Sequence, residues 1–198
     1  MIGTPITTPT YPIEWRLPSR GRVGMAALIV GESALFAIFV VAYVFYIGKS
    51  LSGPTPSQVL ETPVVPTICL LSSSFSILLA ERCIAKNQVK TFAGWLAMTI
   101  LLGTIFLVAT AMEFSRLIYR EGLTISTNLF GTTFYSLVGL HATHVVFGLA
   151  MLTITMIFTL LGRMGEEHSE RFGVVALYWH FVDAVWVVVF SVVYVIGR

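Results

Sequence analysis

Five apolar runs, at about residues 23–47, 64–84, 92–118, 129–161 and 172–196, leave little of this 198-residue chain outside them. Each matches or exceeds the roughly 20 residues a helix needs to cross the hydrocarbon of a bilayer. In lipid, every backbone N–H and C=O must find its partner within the protein, so such runs fold as helices. The expected fold is all-α and polytopic: a bundle of five transmembrane helices. Composition bears this out, with 56% hydrophobic and 11% charged residues, far from the balance of a soluble domain. A net charge of +2 offers no basic face for nucleic acid.

The fourth run is longer than one bilayer thickness, so an end of it projects. Ahead of the first run, residues 1–22 carry Pro5, Pro9, Pro12 and Pro18 and no cleavable apolar stretch. They read as an extended tail laid on a neighbouring surface, with Glu14, Trp15 and Arg16 suited to the membrane interface. Lys and Arg set the expected orientation. With the N-terminus inside, the inner segments hold Arg16, Arg20, Arg22, Arg82, Lys86, Lys90, Arg163 and Arg171, against Lys49, Arg116, Arg120 and Arg198 outside. The excess places the N-terminus in the cytoplasm or matrix and the C-terminus on the opposite side of the membrane. No internal repeat of the transporter kind stands out.

Polar residues inside the apolar runs point to function or to helix association. An aspartate at a helix centre costs about 2.5–3.5 kcal/mol on insertion scales, so it needs a partner inside the protein. Glu32 lies roughly 14 Å into the first helix, near the bilayer middle. His141 and His144, at i and i+3, share a face of the fourth helix, and His180 and Asp183 repeat that spacing on the fifth. Glu113 sits near the end of the third. On the fifth helix Trp179, Asp183 and Trp186 fall on one stripe, with His180 about 60° to its side.

Three arrangements are open to these residues: interhelical hydrogen bonds that fix the bundle, a carboxylate–histidine metal cluster, or a bis-histidine haem between His180 and His141 or His144. Cys69 and Cys83, about 21 Å apart along one helix, cannot form a disulfide with each other and read as packing residues. Trp95 reads as an interface anchor. Residues 163–171 read as a solvated turn, where an arginine can hold a lipid phosphate.

Several of these residues also form motifs. Tyr-Trp-His-Phe-Val-Asp-Ala-Val-Trp at 178–186 resembles the C-terminal signature of subunit III of haem–copper oxidases. His-Ala-Thr-His-Val at 141–145 is similar to that family's His-Gly-Leu-His-Val. Gly31-Glu32-Ser33-Ala34-Leu35-Phe36 resembles its Ser-Glu-x-x-x-Phe segment, and Leu60-Glu61-Thr62-Pro63 and Ala111-Met112-Glu113-Phe114 fit its loop and third-helix patterns. The resemblance runs in order from Gly21 to Arg198. It implies the short bacterial form, set in a bacterial inner membrane with the N-terminus cytoplasmic and the C-terminus periplasmic, which lacks the first two helices of the seven-helix form and so supplies one wall of a lipid-holding cleft.

The resemblance further implies a non-catalytic accessory subunit, with no catalytic residue and no metal or other cofactor of its own. Haems and copper would reside in partner subunits I and II, a further small subunit could be present, and cytochrome c or quinol would meet only those other subunits. The implied roles are docking on the catalytic subunit, proton uptake on the inner side, phospholipid binding and protection during turnover. Glu32 matches the family's buried glutamate, with His144 its neighbour and His141 beside it. His180 and Asp183 match the structural polar pair, and Arg163 and Trp179 are the implied lipid contacts. Val175 stands where the mitochondrial type has a glutamate, so no role of that carboxylate transfers. A haem–copper catalytic subunit needs six histidines and this chain has four. A subunit III-like partner of a quinol oxidase or nitric oxide reductase is the alternative. A stand-alone b-type cytochrome or a small transporter lies further off.

Overall fold

The computed structural model describes residues 19–50 and 53–197 of the chain. The expected features of the tail up to Pro18, including Glu14, Trp15 and Arg16, lie outside the described residues. Five helices are long and apolar enough to cross a membrane. The first, α1, spans Arg20–Tyr46. It begins three residues before the expected 23 because the Ser19 hydroxyl accepts the Arg22 N–H and caps the first turn. The assigned tail is therefore shorter than 1–22.

The loop after α1 holds a one-turn helix, α2 (Pro56–Val59). Pro56 occupies its first position, where a missing N–H costs nothing, and the Gln58 side chain accepts the Thr55 N–H at 3.1 Å. The remaining long helices are α3 (Val64–Ile84), α4 (Val89–Tyr119), α5 (Leu129–Leu160) and α6 (Ser169–Phe190). Helix α4 starts before the expected 92 because Lys90 does not stop a helix; its stem can lie on the apolar surface with its head in water. Past Phe190 the chain winds on as a π-helix, Ser191–Ile196.

The helices form two compartments that share the α5–α6 wall. Helices α3, α4, α5 and α6 enclose a four-helix unit, and α1 leans on α5 and α6 from the other side. Leu70, Ile77, Leu96, Phe106, Phe134, Val145, Trp179 and Trp186 fill the four-helix unit and are at most 1% exposed. By contrast, α1 fully buries only Phe36 and Tyr43, and its Val30, Ile38 and Val41 stand 66–71% exposed. In a bilayer such faces meet lipid tails or a neighbouring subunit.

Antiparallel helices α3 and α6 are joined by a ladder of side-chain hydrogen bonds. The Trp186 indole N–H donates to Thr67 Oγ1 at 3.2 Å, and the Trp179 indole N–H donates to Ser73 Oγ at 2.8 Å. Ser74 meets Asp183 and His180 between those rungs. Small hydroxyls on α3 let the two backbones approach while satisfying the polar stripe of α6. Cys69 and Cys83 are both free thiols and half-buried on α3. Trp95, expected at the interface, is partly buried against the core.

Candidate functional site

Glu32 and Phe36 sit one helical turn apart on α1, so both project toward α5. The Phe36 ring packs 4.9 Å from the His144 ring and 6.4 Å from that of Phe181, between centroids. This wedge sets the height of Glu32, whose Oε2 lies 3.1 Å from His144 Nε2. His144 Nδ1 is 2.8 Å from the Leu140 carbonyl, so Nδ1 carries a proton and donates it. The Glu32–His144 contact then holds one hydrogen, either on the acid or on an imidazolium. The side chain of Glu32 is 31% exposed and that of His144 11%. The pair is thus reachable from the face of the bundle while its imidazole is held from behind. The Tyr178 hydroxyl donates to the His144 carbonyl at 3.3 Å, tying α6 to the same turn of α5.

His141 shares the helix face of His144 in projection, but the structure puts the two in different compartments. His141 is fully buried in the four-helix unit. Its ring stacks on Trp186 at 4.9 Å and 30°, and meets the Phe106 ring edge to face with 5.8 Å between centroids. Neither ring nitrogen has a hydrogen-bond partner among the described residues. A three-residue step turns a helix 300°, and that 60° divergence straddles the α5–α6 wall.

His180 and Asp183 are not paired directly. The Ser74 hydroxyl donates to Asp183 Oδ2, and His180 Nδ1 lies 3.2 Å from Ser74 Oγ. A hydroxyl has one proton, so Nδ1 of His180 is the donor to Ser74. With the serine between imidazole and carboxylate, the order differs from that of a nucleophilic triad, where the acid orients the base. Ser74 is a residue that the sequence does not single out: it is one serine among several on α3.

Trp179 is corrected: expected to touch lipid, it is fully buried. Its indole lies against the backbone of α4 at Gly103 and of α5 at Gly148, where an added Cβ would come within 2.7 Å of the ring. The stripe of Trp179, Asp183 and Trp186 therefore points to protein, with 3% exposure at most.

Arg163 lines a cavity of about 400 Å³ together with Phe158, Met164, His168 and Arg171. The sequence singled out Arg163 alone, and the turn of 166–168 brings Arg171 and His168 beside it. At the opposite end of the bundle, the Tyr194 hydroxyl donates to Glu113 Oε2 at 3.2 Å, and Arg116 pairs with Glu61 at 2.9 Å. Among the described residues no three His, Cys, Asp or Glu side chains come together as a metal-ligand set.

Known proteins place this arrangement. The family profile of cytochrome c oxidase subunit III matches residues 19–198. Cytochrome c oxidase subunit 3 of Alkalihalophilus pseudofirmus is 34% identical over 96% of this chain and 93% of its own length. The human protein of that name is 33% identical over 87% of this chain and 68% of its own length. A probable quinol oxidase subunit 3 of Staphylococcus saprophyticus is 28% identical over 89% of each chain. With a family profile matched over residues 19–198 and a relative 34% identical over nearly the full length of both chains, this chain belongs to the cytochrome c oxidase subunit III family of the haem–copper oxidases.

Proposed function

We propose that this chain is the non-catalytic accessory subunit of a bacterial cytochrome c oxidase, stabilising subunit I and assisting its proton supply while the complex reduces oxygen to water. The observation that carries this reading is the Glu32–His144 contact at 3.1 Å. One labile proton sits between a half-exposed acid and an anchored imidazole, on the helix that packs least into the bundle. Such a pair takes up and returns a proton without moving the backbone, because His144 stays bonded to Leu140 in either state. Redox centres belong to subunits I and II in this reading. The N-terminus faces the cytoplasm, so the turn holding Arg163 and Arg171 lies at the inner leaflet. There the two guanidinium groups suit a phospholipid phosphate.

The test is a complex purified through a tag on this chain, with Glu32→Ala beside the wild type. Assembly and the haem spectrum should be unchanged, while activity should decay faster during turnover. An unchanged turnover lifetime would remove Glu32 from proton supply. Arg163→Ala should lower co-purified phospholipid; equal lipid content would dismiss that contact. The quinol oxidase reading is favoured by the Staphylococcus saprophyticus relative. Reduced-minus-oxidised spectra of the complex, with electron-donor assays, decide between the two.

A further inference from the structure

A groove of about 790 Å³ runs along the second half of α4, beside the start of α3, at the opposite end of the bundle from Arg163. Its deep part is apolar: Val108 and Met112 are 52% and 68% exposed. Its mouth is charged, with Arg116 and Arg120 from the end of α4, Glu61 from the loop before α3, and Glu113 on the wall. From Val108 to Arg120 the helix rises about 18 Å, close to half of the roughly 30 Å hydrocarbon thickness. The groove is therefore about one leaflet deep, apolar at the membrane middle and charged at the interface.

The charged mouth is held in place. Arg116 Nη1 donates to Glu61 Oε1 at 2.9 Å and its Nη2 to the Val59 carbonyl at 3.1 Å. The guanidinium is thereby fixed, and three of its five N–H donors remain unspent. One turn further out, the exposed Arg120 adds a second guanidinium with no side-chain partner among the described residues. The Glu61 carboxylate is 80% exposed, and Glu113 keeps Oε1 buried without a partner among the described residues. Two cations and one exposed carboxylate, Glu61, thus flank a trough that fits an acyl chain, with Glu113 set behind them.

We propose that this groove binds a phospholipid with a primary-amine headgroup, in the leaflet at the C-terminal end of α4. Its phosphate takes the free donors of Arg116 and Arg120. Its ammonium lies level with the phosphate and reaches Glu61, with Glu113 behind. One acyl chain lies over Met112 and Val108. A purely anionic lipid satisfies the arginines and is repelled by the Glu61 carboxylate, so the site discriminates between headgroups. It is separate from the arginine turn at the other end of the bundle.

The experiment uses the full chain within its complex, in nanodiscs of equal phosphatidylethanolamine and phosphatidylglycerol, with retained lipids read by native mass spectrometry. The wild type should hold phosphatidylethanolamine above the bulk ratio. Arg120→Ala should lower that occupancy about ten-fold, as loss of a charge-assisted bond would. Glu61→Gln should abolish the preference over phosphatidylglycerol. Met112→Trp, at a largely exposed position, should block the trough and displace the lipid with the fold intact. Equal occupancy in wild type and Arg120→Ala would overturn the proposal, as would a preference for phosphatidylglycerol. A photoreactive residue at position 112 gives an independent reading: lipid adducts support the site, and adducts to a partner's helix instead would overturn it.

Discussion

Gly103 and Gly148 decide what Trp179 can do. The indole spans from α6 to the Ser73 hydroxyl on α3 and fits only because α4 and α5 offer bare backbone to its ring. A methyl at Gly148 would stand 2.7 Å from the ring, with no flexible neighbour to yield. Overpacking of this kind costs about 1–3 kcal/mol. Gly148→Ala and Gly103→Ala should therefore lower the thermal midpoint of the detergent-purified protein. Gly139→Ala, with nothing within 4 Å of the added methyl, should leave it unchanged or raise it slightly. Ser74 makes a second, separable case. Ser74→Ala or Asp183→Ala each strands a buried polar group, at about 1–3 kcal/mol. Because both act on one network, the double variant should assemble no worse than the poorer single variant, as measured by subunit yield; additive losses would place them in separate networks. Residues whose roles follow from their own helix were legible in advance. The stripe of Trp179, Asp183 and Trp186 is a matter of 100° steps, and the neighbourhood of Glu32 and His144 came with the motifs that carry both. Ser74 and Tyr194 were not legible. A serine or a tyrosine is at home in any membrane helix, and only the register between helices shows what it faces.

At the scale of elements, α1 stands apart. It fully buries only Phe36 and Tyr43 and adds the Glu32–His144 contact, with Met25, Phe39 and Val40 partly buried against the core, whereas α3 is bound to both α4 and α6 along its length. Local opening is cheapest where buried contacts are fewest. Hydrogen exchange should be faster along Arg20–Tyr46 than along Val64–Ile84, and Phe36→Ala should speed it further in α1 while leaving α3 and α4 unchanged. Equal acceleration across all helices would mean that the two compartments open together. The helix centres were readable from hydropathy alone, because lipid forbids any other solution for the backbone. Their ends were not. Hydropathy stops at the first charged residue, while Ser19 caps a turn that carries Arg20 and Arg22, and α4 begins before Lys90. The π-helix of 191–196 left no mark in the apolar pattern either, since it alters hydrogen-bond spacing without altering composition.

For the whole molecule, the bundle leaves large apolar faces open, and α1 carries the widest. A five-helix chain with such faces is built to sit among other membrane helices, as a subunit of an oxidase does. Charge placement predicts its orientation, and labelling reads it directly. Lys86 and Glu166 are exposed in connections at one end of the bundle, and Lys49 and Glu121 are exposed at the other. In a chain with Cys69 and Cys83 replaced by alanine, Lys49→Cys and Glu121→Cys should react with a membrane-impermeant maleimide on intact spheroplasts. Lys86→Cys and Glu166→Cys should react only after the membrane is opened. The reverse pattern would turn the bundle over. It would move the Arg163–Arg171 cavity to the periplasmic leaflet and the groove of Arg116 and Arg120 to the cytoplasmic one, where primary-amine lipids would meet it from the other side. Labelling at all four positions on intact cells would instead mean that none of α3, α4 and α5 crosses the membrane.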